Sequence, residues 1–332
     1  MTEHVTIRTV ARLAGTSPST VSAAFNPGSR ISKETRDRVI AAADQLNWRP
    51  DRRASALRSN TQTVIGMIYE VNRPFQSHLV DSVYAAAAAK NMELVLAGAT
   101  PRHSELACVR LLLGERCRAL MVTGTSLPPN LLEEVARLVP TLTLARSVDA
   151  PGVNAVYSDA NIGEQLAVEH LVELGHERIA HLAGSGRSMS SEREEGYREA
   201  MTKLGLASNI QVIPCGNDFD NGVYCAGTLA HLENRPTAVT CYNDAVGAGL
   251  ILRLGQLGIS VPQDLSVVGY NDLDIASSPL VNLTTVRQDP EILAKDAIAI
   301  LAKKISSPRD DGEVRVAVDS TLIVRGSTGP AR

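Results

Sequence analysis

Few residues of this chain are grouped in ways that do covalent chemistry. The five cysteines, Cys108, Cys117, Cys215, Cys225 and Cys241, are odd in number and form no CxxC pair. That argues against a disulfide framework or a zinc site, and for buried thiols in a reducing compartment. The seven histidines are scattered; His170 and His176 stand six apart, which does not align two ligands on one helix face. GSGRSM at Gly184–Met189 follows a strand-like run but lacks the third glycine of a dinucleotide-binding loop. Phosphate-loop, nucleophile-elbow and HExxH patterns do not occur. No cofactor or metal is expected, and no enzyme activity. The remaining polar groups are of the kind that bind.

One such group is cationic. Residues 1–60 hold ten basic side chains, among them Arg30 and Arg58, against five acidic ones, while the remainder carries an excess of eight negative charges. A small basic head on an acidic body suggests a module for a polyanion. Hydroxyls accompany the charge, as in Thr6, Ser17, Ser19, Thr20 and Ser22. The second group follows aliphatic runs: Arg193 after Ile179–Ala183, Phe219 after Gln211–Ile213, Asn243 and Asp244 after Ala238–Cys241, Asn271 and Asp272 after Ser266–Tyr270. In open α/β sheets ligands bind at the carboxyl ends of strands. Arg, Asn and Asp with an aromatic ring there suit a small polyhydroxylated ligand, whose apolar face the ring covers. The plainer role of an Asn-Asp pair after a strand is to cap a helix, and for Asn243 the two roles weigh equally.

These residues need elements to position them. In the head, Ile7, Val10, Ala11 and Ala14 recur at helical spacing after Thr6, and Gly15 ends the run. Ser17 then caps a short helix with Pro18 at its first position, about Pro18–Phe25. A third helix follows Ser32 to about Asn47, with Val39, Ile40, Ala43 and Leu46 inward. Two short helices joined by a glycine turn, with a third in support, make a helix-turn-helix. The basic run Pro50–Asn60 is too short for a stable isolated helix, but could fold where phosphates neutralise its arginines.

From Thr63 the pattern alternates. Strands are expected at Val64–Tyr69, Glu93–Ala97, Ala119–Val122, Thr141–Leu144, Ile179–Ala183, Gln211–Ile213, Ala238–Cys241 and Ser266–Tyr270, with helices between them. Continuous aliphatic runs flanked by helices indicate buried parallel strands. Aromatics are only 3% of residues, so the core is aliphatic. The densest apolar stretches, such as Leu94–Ala99, fall far short of the ~20 residues a membrane span needs. The start MTEHVTIRTV has no apolar segment of a secretory signal. A cytoplasmic protein without a membrane partner is expected.

The run from Val5 to Ser59, VTIRTVARLAGTSPSTVSAAFNPGSRISKETRDRVIAAADQLNWRPDRRASALRS, resembles the head of the lactose-repressor (LacI) family of bacterial transcription regulators. EHLVELGHERIAHLAG, REEGYREAM, RPTAVTCYNDAVGAG and GISVPQDLSVVGYNDLDIASSPLVNLTTVRQ resemble its body. The resemblance implies an all-α helix-turn-helix head plus an α/β periplasmic-binding-protein-like body of two doubly wound subdomains. It implies a DNA-binding domain over 1–50, a hinge helix or linker over 51–61, and an effector-binding and dimerisation domain over 62–332. Within the last, one subdomain comprises about 62–160 and 290–320, the other about 161–289 and 321–332.

By position, Thr6, Ser17, Ser19, Thr20, Ser22, Asn26, Arg30 and Thr35 would face DNA, and Leu57 would wedge between base pairs in the minor groove with Arg58 beside it. Phe75, Gln76, Arg193, Phe219, Asn243 and Asn271 would line the effector site. The implied protein is a repressor on a palindromic operator, a homodimer or higher oligomer, gated by a sugar, sugar phosphate or nucleoside. The chain departs from the family at four places. Ala23 stands where an arginine usually follows the T-V-S run, Thr9 replaces an acidic capping partner, Asn271 replaces an aspartate, and Ala145 stands where an aspartate is common. A sugar-binding protein with no gene-regulatory role is the alternative; a sugar-modifying enzyme is a third, for which no catalytic residues can be named.

Overall fold

Ser17 and Ser32 each accept a bond from the backbone N–H three residues on, Thr20 N at 3.1 Å and Thr35 N at 3.2 Å. These caps start α2 (Pro18–Ala24) and α3 (Lys33–Gln45) by satisfying N–H groups that have no partner inside a helix. α1 (Ile7–Leu13) begins at Thr6, whose N–H reaches Thr9 Oγ1 only at 3.4 Å. Threonine thus replaces the longer acid of a capping box, and does so weakly. The computed structural model describes residues 5–25, 29–49, 63–185, 189–307 and 312–332. The chain divides into two compact units, 1–62 and 63–332.

In the first unit Gly15 turns at φ +61°, a conformation that favours glycine. The three helices close on Val10, Ala11, Ala14, Val21, Ala24, Val39, Ala42 and Ala43, with Phe25 edge-on to Trp48. Ile40, expected inward, is 37% exposed. Val39, Ala42 and Ala43 form the inner stripe of α3 instead, which turns position 40 outward. The Arg36 guanidinium donates to Ala24 O at 2.6 Å and Ser29 Oγ at 3.0 Å, tying α3 to the end of α2.

The second unit holds two six-stranded sheets. The first has the order β11-β5-β4-β3-β1-β2, from β1 (Thr63–Glu70), β2 (Met92–Ala99), β3 (Ala119–Thr123), β4 (Thr141–Leu144), β5 (Val153–Ser158) and β11 (Arg315–Val318). The second runs β12-β10-β9-β8-β6-β7, from β6 (Ile179–Ala183), β7 (Gln211–Pro214), β8 (Ala238–Cys241), β9 (Ser266–Tyr270), β10 (Thr284–Arg287) and β12 (Thr321–Ile323). Every pairing is parallel except β10 with β12. The chain therefore passes between the sheets three times: after β5, after β10 and after β11.

The helices are α4 (Pro74–Ala89), α5 (Glu105–Gly114), α6 (Pro129–Ala136), α7 (Ala160–Glu173), α8 (Met189–Lys203), α9 (Phe219–Ala230), α10 (Asp244–Gln256), α11 (Asp274–Ser277) and α12 (Pro290–Ser306). Each sheet is buried on both faces. Ile65, Met67, Leu79, Leu142 and Leu301 fill one side of the first, and Ile68, Leu112, Leu120 and Leu132 the other. Val239, Leu250 and Leu254 fill one side of the second, and Val168, Tyr197, Met201 and Tyr270 the other. Gly222 and Gly249 let α9 and α10 meet backbone to backbone; a Cβ on Gly222 would lie 2.1 Å from Val246 O, and one on Gly249 2.0 Å from Phe219 O. Among the described residues no helix is long and apolar enough to cross a membrane.

Candidate functional site

In the head, the hydroxyls of Ser17, Ser19 and Thr20 form one network, with Ser17 Oγ 2.7 Å from Ser19 Oγ and 2.9 Å from Thr20 Oγ1. Thr6, Ser17, Ser19, Ser22 and Arg30 are exposed, and Thr20 and Thr35 half-buried. α2 thus buries Val21 and Ala24 and turns small hydroxyls outward. Side chains this short let a helix backbone approach base edges closely, and hydroxyls both donate and accept. Asn26, Leu57 and Arg58 lie outside the described residues.

In the second unit, the carboxyl ends of the two sheets meet. Arg146, two residues after β4, donates from Nε to Glu192 Oε1 of α8 at 3.0 Å, and its terminal nitrogen donates to Thr125 O beyond β3 at 2.6 Å. Leu273, after β9, packs into the same cluster as Phe75, Leu79 and Ala145 of the other half. His78 of α4 stands 4.0 Å from Asp274 of α11.

Arg193 lies at this junction and is 2% exposed. One terminal nitrogen donates to the Tyr242 carbonyl, the other to Asn271 Oδ1 at 3.2 Å. The rings of Tyr270 and Tyr242 lie 3.8 Å and 4.9 Å from its central carbon. Asn271 Oδ1 also accepts from Gln288 Nε2 at 2.7 Å. Asn271 has φ +105°, outside the range that side chains ordinarily adopt, and such backbone gathers at functional sites. The loop is held there by Asp272, which binds Arg287 Nε and Arg325 at 2.6 Å each.

The other expected cleft residues are differently placed. Asn243 caps α10 by accepting from Val246 N at 2.9 Å, and its Nδ2 donates to Asn217 O at 2.8 Å. Both ends of its amide are engaged in structure. Gln76 Oε1 accepts from Glu70 N at 2.5 Å and from the Thr123 hydroxyl at 2.6 Å. Its carbonyl thereby ties together the ends of β1 and β3. Phe75 is buried against the first sheet, and Phe219 is 39% exposed at the first turn of α9.

Beneath Arg193 sits a buried acid. Burial raises the Glu164 carboxyl to about 8, with the charge of Arg193 pulling it partly back. His181, 3.8 Å from Glu164 and 2.8 Å from Thr240 Oγ1, is lowered to about 3, first by burial and then by Arg193 and Arg198. Burial raises Asp244 to about 7, against bonds from the Thr285 hydroxyl and Leu273 N. At neutral pH the cationic Arg193 therefore sits over an acid that keeps its proton.

Residues 6–51 match the model of the bacterial regulatory proteins of the lacI family, and residues 168–328 that of a periplasmic binding protein-like domain. The HTH-type transcriptional repressor PurR of Vibrio atlanticus (strain LGP32) is 32% identical over 97% of this chain and 98% of its own length. The chain belongs to the lacI family. The HTH-type transcriptional regulator GalR of Escherichia coli (strain K12) is also 32% identical, over 97% of this chain and 95% of its own. The lac repressor dimer bound to operator and the anti-inducer ONPF shares the fold, with a TM-score of 0.79 at 28% identity over 98% of this chain and 99% of that one. The chain is thus a lacI-family DNA-binding regulator with an effector-binding body. Sugar binding without regulation is not favoured, because the relatives that match along their full length are repressors.

Several residues at this junction of the lacI-family body escape a reading of spacing. Arg146 and Glu192 join the two halves there, Tyr242 and Tyr270 hold Arg193, Gln288 shares Asn271 with it, and Asn217 joins the loops around Ser185 and Asn243. One signal for Arg146 was present. It follows Ala145, where the family's common aspartate is missing.

Proposed function

We propose that this chain is a repressor that binds a near-palindromic operator as a homodimer, and that a small polyhydroxylated ligand in the cleft sets its affinity for DNA. The division of labour we propose is a DNA-reading head over 1–50, a hinge over 51–61 and a body over 62–332, whose halves comprise about 62–160 with 290–320 and about 161–289 with 321–332. The observation that carries the reading is the outward hydroxyl face of α2 on a capped three-helix head. Thr6, Ser17, Ser19, Thr20, Ser22, Asn26, Arg30 and Thr35 would meet the operator, with Leu57 and Arg58 in the minor groove. Phe75, Gln76, Arg193, Phe219, Asn243 and Asn271 would surround the effector.

A second copy fits the exposed apolar residues of the body. Leu280 is 80% and Tyr224 76% exposed, and Leu280 lines one surface depression with Ile251, Leu252 and Ile259. Apolar side chains gathered in this way mark association surfaces. Pairing two heads by a two-fold axis doubles the base pairs read.

The test is salt-dependent binding of the intact chain to duplex DNA, with a thermal-shift screen of sugars and nucleosides for the effector. A log–log slope that reports several phosphate contacts, with an excess of specific over random binding, is expected. Binding to no duplex at low salt would overturn the reading.

A further inference from the structure

Arg146 and Glu192 form an ion pair that joins the two halves of the body at the meeting of the sheets' carboxyl ends. Their surroundings differ. Arg146 is only 19% exposed and is pinned to its own half by the Thr125 carbonyl. Glu192 is 38% exposed and stands in the first turn of α8, where the helix favours a negative charge whether or not Arg146 is near. The carboxylate can leave at small cost, whereas the guanidinium stays in place.

Arg193 adds a second cation. Its hydrogen-bond partners among the described residues are neutral, a carbonyl oxygen and an amide oxygen, and its Nε is buried with no partner. Asn271 and Ala145 supply no carboxylate there. The two rings and the buried acids Glu164 and Asp244, raised to about 8 and about 7, offset its charge only in part. The two arginines thus stand where the carboxyl ends of the two sheets meet, with Glu192 the movable anion beside them.

We infer that the effector carries an anionic group, carboxylate or phosphate, read by Arg146 with Arg193, and that Glu192 holds the place of that group in the ligand-free chain. This rests on the cleft being the effector site. Arg146 is then the residue that sets effector class, and Glu192 a built-in competitor. A guanidinium fork matches a carboxylate or phosphate with two parallel bonds, whereas a neutral hydroxyl takes one. A neutral sugar would leave the ion pair intact.

The test is calorimetric titration of the full chain with ligands matched except in charge: gluconate, glucose and glucosamine, then a ribose phosphate and ribose. Wild type, Glu192→Gln and Arg146→Gln are compared. A half-exposed glutamate tolerates the amide, so Glu192→Gln is the primary variant, and unliganded thermal unfolding checks that both fold. The anionic member of a pair should bind more tightly than the neutral one, by about 10-fold for one charged hydrogen-bonding group. Glu192→Gln should widen that ratio by about another 10-fold, and Arg146→Gln should close it. Binding of gluconate but not the phosphate, or the reverse, identifies the source of the anion. The inference is overturned if Glu192→Gln leaves the ratio unchanged, if the neutral member binds wild type as tightly, or if no anionic member binds Glu192→Gln at millimolar concentration. A neutral sugar that shifts operator affinity would refute this inference and leave the regulatory reading standing. Absence of DNA binding would refute the regulatory reading whatever the ligands do.

Discussion

Arg193 is held by two loops and two rings, and this makes it a point where ligand and framework share one side chain. Arg193→Ala should abolish the response of operator binding to an effector found by the screen, and should also lower the unfolding temperature, because it takes the guanidinium donor from the buried Tyr242 carbonyl. Retained response in a folded Arg193→Ala chain would show that the cleft is wrongly placed. Glu164 gives a second prediction at this scale. The fold holds its proton up to about 8, whereas the unfolded chain releases it near 4.5; Asp244 behaves alike between 3.8 and about 7. Their contribution to stability is complete below the unfolded values and is lost as pH rises through the folded ones. His181 acts in the opposite sense, but only below 6.5. Stability should therefore fall between pH 6.5 and 8, at a slope of up to about 1.4 kcal/mol per pH unit for a fully shifted group. Glu164→Gln should flatten that fall in pH-dependent denaturant unfolding; a curve parallel to wild type would contradict the assignment. The sequence showed Arg193, Asn243 and Asn271 because polar residues after aliphatic runs stand out. It offered the helix cap as one of two equal roles for Asn243, and that cap is present; it could not show that Arg146 reaches Glu192, since that contact spans 46 residues and two sheets.

At the scale of elements, α2 and the α9–α10 pair make the most direct claims. Ser17 both caps α2 and belongs to its outward hydroxyl network. Ser17→Ala should cost about 1 kcal/mol in the head's stability and weaken specific DNA binding as well, measured by urea unfolding and by anisotropy. Unchanged binding would remove Ser17 from the interface. Gly222→Ala should destabilise the body by roughly 1–3 kcal/mol, because the added carbon meets a backbone oxygen that cannot turn away. The aliphatic strands were legible: β4, β6, β8 and β9 match their expected bounds, since four or five consecutive residues that are mostly apolar or β-branched have few other uses. β11 and β12 were not, being short strands at sheet edges with exposed residues. β5 was masked by Asn154, a buried amide that donates to Thr141 O and accepts from Val314 N, where a core strand would be read as apolar. α12 carries a clear start in Asp289-Pro290 and an apolar stripe from Leu293 to Leu301, yet it is not among the elements expected from spacing.

In the whole molecule, a DNA-binding head and an effector-binding body share one chain. Linkage makes this reciprocal: a ligand that changes operator affinity by some factor must have its own affinity changed by operator by the same factor, with ~1–3 kcal/mol an ordinary coupling. Leu57→Ala should weaken specific binding more than non-specific binding, because an uncharged wedge contributes to the bend and not to phosphate attraction; equal losses on operator and random DNA would count against the wedge. The central claim is tested most directly by selecting bound sequences from a random duplex library with the full chain, and sizing the complex by sedimentation. Enrichment of a near-palindrome with two half-sites, bound by two chains, is expected. Enrichment of no sequence, or of a single half-site bound by one chain with undiminished affinity, would contradict it.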